Sequence, residues 1–176
     1  TGVSLGGFEI SNGNYIIAGN SIMQNENYLN NEIRNIFIAT TPREDAANHN
    51  TELIWFTYHS ESGHKNVFEP KLVKIDDKSF ILLWQECNTE ELLWWNDYYK
   101  NNSVKYVFLD ATGHPMSDVK IIEQGILPNC EPIIVENNLI WYAMDSEDIY
   151  FYKIPIEIIN SKQELNPSAD EMNIKK

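Results

Sequence analysis

The feature that most constrains the fold is an internal repeat. Glu69-Pro70 is followed by an apolar run, a three-residue polar turn and a second apolar run, and the same order returns 62 residues later at Glu131-Pro132. A weaker third copy spans Gly7–Ala18. A recurring unit of strand, tight turn and strand indicates a stack of similar supersecondary units, each of which needs a neighbour to cover it.

The composition of the runs predicts strands. β-branched and aromatic residues cluster between Gly, Asn and Asp turn signals, and helical periodicity is nearly absent. The segment Phe80–Trp84 is apolar at every position, which is typical of a sheet covered on both faces. The eleven predicted strands are 8–10, 15–22, 35–41, 52–60, 71–75, 79–85, 104–110, 119–123, 132–135, 139–144 and 149–154. The sequence therefore predicts an all-β fold of stacked antiparallel sheets.

In this pattern the chain resembles a β-propeller, whose blades are four-stranded antiparallel sheets. The resemblance is to the class of blade-type repeats and carries no signature of one family. It divides the chain into blade-like repeats 1–66 and 67–128, a partial repeat 129–159 and a polar tail 160–176. About three blades do not close a ring, so it implies a partial or C-terminal portion of a larger propeller, or one completed by a second copy. A β-sandwich is the alternative.

The blade topology implies that one face collects the starts of the first strands and the ends of the second strands. Glu69, Glu86, Glu131 and Asp145 would form an acidic rim there. Such a rim suits a cation or a basic partner. The alternative is that each Glu-Pro pair caps a strand by hydrogen bonding.

The longest loop, 87–103, is rich in aromatic residues. Helical spacing within it would place Trp95 and Tyr99 on one face, with Trp94 and Tyr98 as a second pair. One pair must pack onto the sheets, and the other would be exposed for sugar stacking or protein binding. We expect Trp94 and Tyr98 to be the exposed pair. The alternative is that both pairs are core.

The two cysteines, Cys87 and Cys130, are far apart in the sequence and lack any metal-ligand spacing, so no zinc site or other cofactor is expected. Cys87 ends a second strand and Cys130 precedes the first strand of the next repeat. In neighbouring blades they would form a disulfide or remain two free thiols.

The charge balance limits the partners. Lys and Arg number 13 against 26 Asp and Glu, a net charge of -13, which argues against nucleic acid and anionic membranes. No apolar run reaches the roughly 20 residues of a membrane span. The first hypothesis is a non-catalytic binding module of a bacterial secreted or surface protein, recognising a protein or glycan outside the cell. The alternatives are part of a propeller glycoside hydrolase or lyase with channel carboxylates, and a purely structural portion completed by dimerisation or a longer chain.

Overall fold

The computed structural model describes residues 3–22, 33–48, 50–60, 64–88, 102–128, 130–145 and 148–156. Within these ranges the chain is all-β, with one 3-10 helix at Arg43–Asn48. The strands are β1 Ser4–Ile10, β2 Asn14–Ser21, β3 Asn35–Pro42, β4 Glu52–Trp55, β5 Lys65–Lys74, β6 Ser79–Asn88, β7 Asn102–Asp110, β8 Lys120–Glu123, β9 Ile133–Val135, β10 Asn138–Asp145 and β11 Asp148–Pro155.

The strands form three antiparallel sheets in which sequence neighbours are spatial neighbours. The first sheet has the order β1-β2-β3-β4, the second β5-β6-β7-β8, and the third β9-β10-β11. The first two belong to a compact unit, Thr1–Ile126, and the third to another, Leu127–Lys176. The predicted all-β class and antiparallel pairing are confirmed.

Each predicted strand has a counterpart, and the differences lie at strand ends. β5 begins at Lys65 and not at residue 71, because the β5–β6 pairing continues past an irregularity between Phe68 and Lys71. Glu69 lies in this bulge with φ of 50°. Glu69-Pro70 therefore sits inside the strand, where proline is tolerated because the ladder is already interrupted. β4, in contrast, ends at Trp55, whereas its predicted strand ran on to residue 60.

In the first unit, the inner face of the first sheet packs on the second sheet. The register places Ala18 opposite Ile38 on this face. The buried cluster combines Ile16, Ala18, Ile36 and Ile38 of the first sheet with Val67, Leu72, Phe80, Leu82, Trp84, Val107 and Leu109 of the second. β6 is buried at every position from Phe80 to Cys87, as its uniformly apolar run indicated.

β1 and β5 bring the two sheets into close contact. A Cβ atom at Gly6 would lie 1.7 Å from the carbonyl oxygen of Pro70, and one at Gly7 would lie 2.7 Å from Cβ of Leu72. Any side chain at Gly6 would overlap the β5 backbone. Glycine is therefore required here, because only its missing Cβ lets the two strands come this close.

The second unit contains the three-stranded sheet. Leu139, Trp141, Ala143 and Ile154 are buried, and Trp141 stacks on Tyr152 with ring centroids 5.0 Å apart. The β9–β10 hairpin turns through Glu136 and Asn137, which have φ of 49° and 59°. Two consecutive positive φ values are typical of the tight turn that matches the twist of antiparallel strands. The sequence predicted a turn at this place.

Candidate functional site

A polar pocket lies at one end of the second sheet. Its volume is about 420 Å³. The strand register sets Glu86, Ser103 and Glu123 side by side across β6, β7 and β8, with Lys105 in the next row. The lining residues are Lys65, Glu86, Cys87, Asn88, Asn102, Ser103, Lys105, Ile121, Glu123 and Gln124.

The Glu86 carboxylate is the centre of the site and is only 6% exposed. Its Oε1 accepts from Nζ of Lys105 at 2.8 Å and from Nζ of Lys65 at 3.1 Å. Its Oε2 lies 2.9 Å from Nε2 of His59. Both oxygens are thus engaged by groups that can donate, which is what a buried carboxylate requires.

These contacts decide the ionisation of Glu86. Burial alone would raise the pKa of Glu86, but hydrogen bonds from His59, Lys105 and Lys65, with the positive charge of Lys105, lower this pKa to about 2. The ion-pairing partners therefore outweigh desolvation. Glu86 is ionised at neutral pH, and a carboxylate with so low a pKa is a poor general base or acid.

A second set of hydrogen bonds positions His59. Oδ1 of Asn35 accepts from the backbone N–H of His59 at 2.6 Å and from the hydroxyl of Thr57 at 3.1 Å, and its Nδ2 donates to the carbonyl of His59 at 3.2 Å. Asn35 and Thr57 are both buried. One amide side chain therefore holds the segment after β4 in the position from which His59 reaches Glu86.

Cys87 adds a thiol to the pocket wall. Burial raises the pKa of the Cys87 thiol, and the negative charge of Glu86 acts in the same direction. The thiol is therefore protonated at neutral pH and is not activated as a nucleophile. Among the residues described by the structure, no group of three His, Cys, Asp or Glu side chains could hold a metal ion.

The predicted acidic residues take different positions. Glu86 lies in the pocket, and Glu69 is exposed in the β5 bulge. Glu131 is exposed just before β9, in the second unit, and Asp145 ends β10 in register with Asp148. Trp94, Trp95, Tyr98 and Tyr99 lie outside the described residues. Both cysteines are free thiols, with Cys87 buried and Cys130 exposed.

The sequence reasoning missed the cations of the site. Lys65 precedes the predicted start of its strand, and His59 lies near the end of the predicted strand 52–60, where the sequence indicates no partner for it. Lys105 gave the clearest signal, since it is a charge within the otherwise apolar segment Val104–Leu109. A buried charge needs an opposite charge, and Glu86 is the charge at the end of the adjacent apolar strand.

Comparison with known proteins gives no family for the chain. No protein-family model matches its sequence, and no curated protein or solved structure matches it. In the ranges that the structure describes, no helix has the length and apolar character to cross a membrane.

Proposed function

We propose that the chain is a non-catalytic binding module and that its pocket takes a short glycan. The observation that carries this proposal is the fixed, ionised Glu86 with its three partners. These partners hold Glu86 in a polar wall, and the low pKa of Glu86 does not suit proton transfer. Glycoside hydrolases need a carboxylic acid whose pKa is raised, which is the opposite of the direction at Glu86.

The chemistry of the lining supports a sugar ligand. Each sugar hydroxyl donates one hydrogen bond and accepts others, so a matching site must present both kinds of partner. The ammonium of Lys65 donates, the carboxylate of Glu123 accepts, and Ser103 and Gln124 can do both. A volume of about 420 Å³ lies within the range of small-ligand pockets.

The aromatic loop supports the same proposal by its place in the chain. β6 ends at Asn88 and β7 begins at Asn102, and both residues line the pocket. The segment 89–101, which contains Trp94 and Tyr98, therefore connects two residues of the pocket wall. Sugar stacking on exposed aromatic rings would complement the polar wall, and the exposure of Trp94 and Tyr98 stays a prediction.

For the architecture, we propose that the three sheets are propeller-type blades. Each sheet is an antiparallel meander in sequence order. β1 packs on β5, so the first strands of two consecutive sheets are in contact. A sandwich also packs two sheets face to face, so the alternative is a real one. A crystal structure in which the first strands do not surround a common axis would reject the blades.

Glycan binding can be tested with a matched pair of lysine variants. We would screen the chain on an array of neutral and acidic glycans and measure the affinity of each hit by calorimetry. Lys65→Ala should weaken binding at least tenfold, because its ammonium lies in the pocket wall. Lys74→Ala is the control, since Lys74 ends the same strand and pairs with Asp77. Absence of any glycan hit, or equal loss in both variants, would reject the proposal.

The aromatic contribution is tested separately. Trp94→Ala and Tyr98→Ala should each weaken glycan binding and leave the thermal unfolding midpoint unchanged if the two rings are exposed. A fall in the midpoint together with the loss of binding would instead place both rings in the core.

A further inference from the structure

The first and third sheets correspond residue by residue over their second and third strands. β2 and β10 are each eight residues long and begin with Asn, and β3 and β11 are each eight residues long and end with Pro. The pairing is the same in both sheets, since Asn14 lies opposite Pro42 and Asn138 lies opposite Pro155. Each residue of β3 therefore has a counterpart in β11.

A backbone hydrogen bond just beyond the third strand supports this correspondence. After β3, the N–H of Arg43 donates to the carbonyl of Gly13 at 2.8 Å, and after β11 the N–H of Ile156 donates to the carbonyl of Asn137 at 2.7 Å. Each acceptor is the residue immediately before the second strand of its sheet. The hydrogen-bonding pattern therefore has the same phase in both sheets.

The two sheets differ at the outer edge of the third strand. In the first sheet this edge of β3 holds β4, and in the second sheet the corresponding edge of β7 holds β8. The third sheet has the order β11-β10-β9, so within the described ranges β11 pairs with β10 alone. The edge of β11 is thus the counterpart of an edge that carries a fourth strand in both other sheets.

The backbone groups available at this edge follow from the register. Opposite residues of an antiparallel pair alternate between those that exchange hydrogen bonds and those that do not. Ile156 bonds to Asn137, which lies opposite it, so every second residue before Ile156 bonds to β10 in the same way. Ile149, Phe151 and Lys153 fall between these positions. Their N–H and C=O groups point away from β10, as a strand-binding edge requires.

β4 shows which side chains suit a strand at such an edge. Glu52 pairs with the β3 residue that corresponds to Lys153, and Ile54 pairs with the one that corresponds to Phe151. Phe151 is 63% exposed, and Lys153 is exposed as well. Opposite charges and apolar pairs directly across two strands both stabilise their pairing. A strand with an acidic residue and, two positions later, an apolar residue therefore complements β11.

From this edge we infer that β11 binds an extended peptide segment of a partner protein as a fourth strand, with an acidic residue opposite Lys153 and an apolar residue opposite Phe151. Backbone hydrogen bonds supply affinity in this mode of binding, and the side chains supply specificity. A second copy of β11 lacks the required charge, because its acidic residue, Asp148, directs its backbone groups to β10. The inference is independent of glycan binding, since the pocket belongs to the second sheet.

The test uses a synthetic peptide with the sequence of residues 50–57, which contains β4. The peptide would be added to the isotope-labelled 176-residue chain at up to about 1 mM, and amide hydrogen exchange would be followed by NMR. Binding should slow exchange at Ile149, Phe151 and Lys153. The N–H of Tyr150, which bonds to β10, should be protected with and without the peptide. This alternation distinguishes strand addition from contact with the face of the sheet.

A charge exchange tests the predicted register. Lys153→Glu should weaken binding of the peptide about fivefold or more, because two acidic side chains then lie opposite one another. A peptide with lysine in place of Glu52 should show the reverse preference and bind the Lys153→Glu chain better than the wild type. Lys120→Glu is the control, since Lys120 begins β8, the edge strand of the second sheet. Circular dichroism would check that both variants are folded.

Four results would overturn the inference. The first is an unchanged exchange pattern at the highest peptide concentration. The second is protection of Ile149, Phe151 and Lys153 without peptide at every protein concentration, which would mean that the chain covers this edge itself. The third is protection without peptide that grows with protein concentration, which would assign the edge to a second copy. The fourth is weaker binding by Lys120→Glu with no change in Lys153→Glu, which would place the peptide at β8.

Discussion

Nζ of Lys105 lies 2.8 Å from Oε1 of Glu86. The two residues belong to β7 and β6, and both strands are otherwise apolar along most of their length. The two residues come from adjacent strands but are offset in register, since Glu86 pairs with Ser103. Lys105 therefore reaches diagonally across the sheet to Glu86. Both side chains are largely shielded from water, so each charge would be costly to leave without the other.

The first prediction concerns the pH dependence of stability. The folded pKa of Glu86 is about 2 and its ordinary value is 4.5, so folding favours the ionised form. The stabilisation is complete above about pH 4.5 and is lost as the pH falls through about 2, a change on the order of 3 kcal/mol. Urea unfolding between these pH values should show a steeper loss for the wild type than for Glu86→Gln. Equal slopes in the two proteins would contradict the prediction.

The second prediction compares the two lysines that contact Glu86. The Lys105 side chain is 17% exposed and that of Lys65 is 51% exposed. Lys105→Met should lower the free energy of unfolding by about 2 to 3 kcal/mol, because the buried carboxylate loses its closest cation. Lys65→Met should lower it by less than about 1 kcal/mol, as for other solvent-exposed pairs. Urea titration at pH 7 measures both, and a larger effect at Lys65 would contradict the assignment of roles.

Local sequence patterns were enough to predict the strands and their antiparallel pairing. Short apolar runs between polar turns predicted every strand in the described ranges, and the two-residue turn at Glu136 and Asn137 follows from local preference. The β5 bulge was not predictable. In the sequence, Glu69-Pro70 directly precedes an apolar run and therefore resembles the start of a strand, although β5 begins earlier. Whether the sheets are blades depends on long-range geometry that short repeats do not encode.

The site was predictable only in part. The sequence predicts Glu86 as a member of an acidic rim, whereas in the structure Glu86 is buried and forms ion pairs. The reason is that a sequence shows which residues carry charge, whereas the distance from Glu86 to Lys105 and Lys65 depends on three strands being aligned. His59 reaches the carboxylate only because Asn35, a residue with no chemical signature in the sequence, holds its backbone.

The third prediction tests the contact between β1 and β5. Gly6→Ala places a methyl group where the carbonyl oxygen of Pro70 lies, so the two sheets must separate. We expect a loss of about 2 to 4 kcal/mol, at or above the usual range for overpacking, because backbone atoms cannot rotate away. Gly13→Ala is the matched control, since no atom lies within 4 Å of its added Cβ. Thermal or urea unfolding of both variants measures the difference, and equal stability of the two would show that the sheets are not in contact there.

The fourth prediction concerns the reactivity of the two thiols. Cys130 is exposed, whereas Cys87 is buried and its pKa is raised, first by that burial and also by the charge of Glu86. A thiol reagent at neutral pH should therefore modify Cys130 at once and Cys87 only as fast as the protein opens. Cys130→Ser should abolish the fast phase, and Cys87→Ser should leave it intact. In urea both thiols should react. If neither thiol reacts in urea until a reductant is added, the two cysteines form a disulfide, which would contradict the free-thiol state.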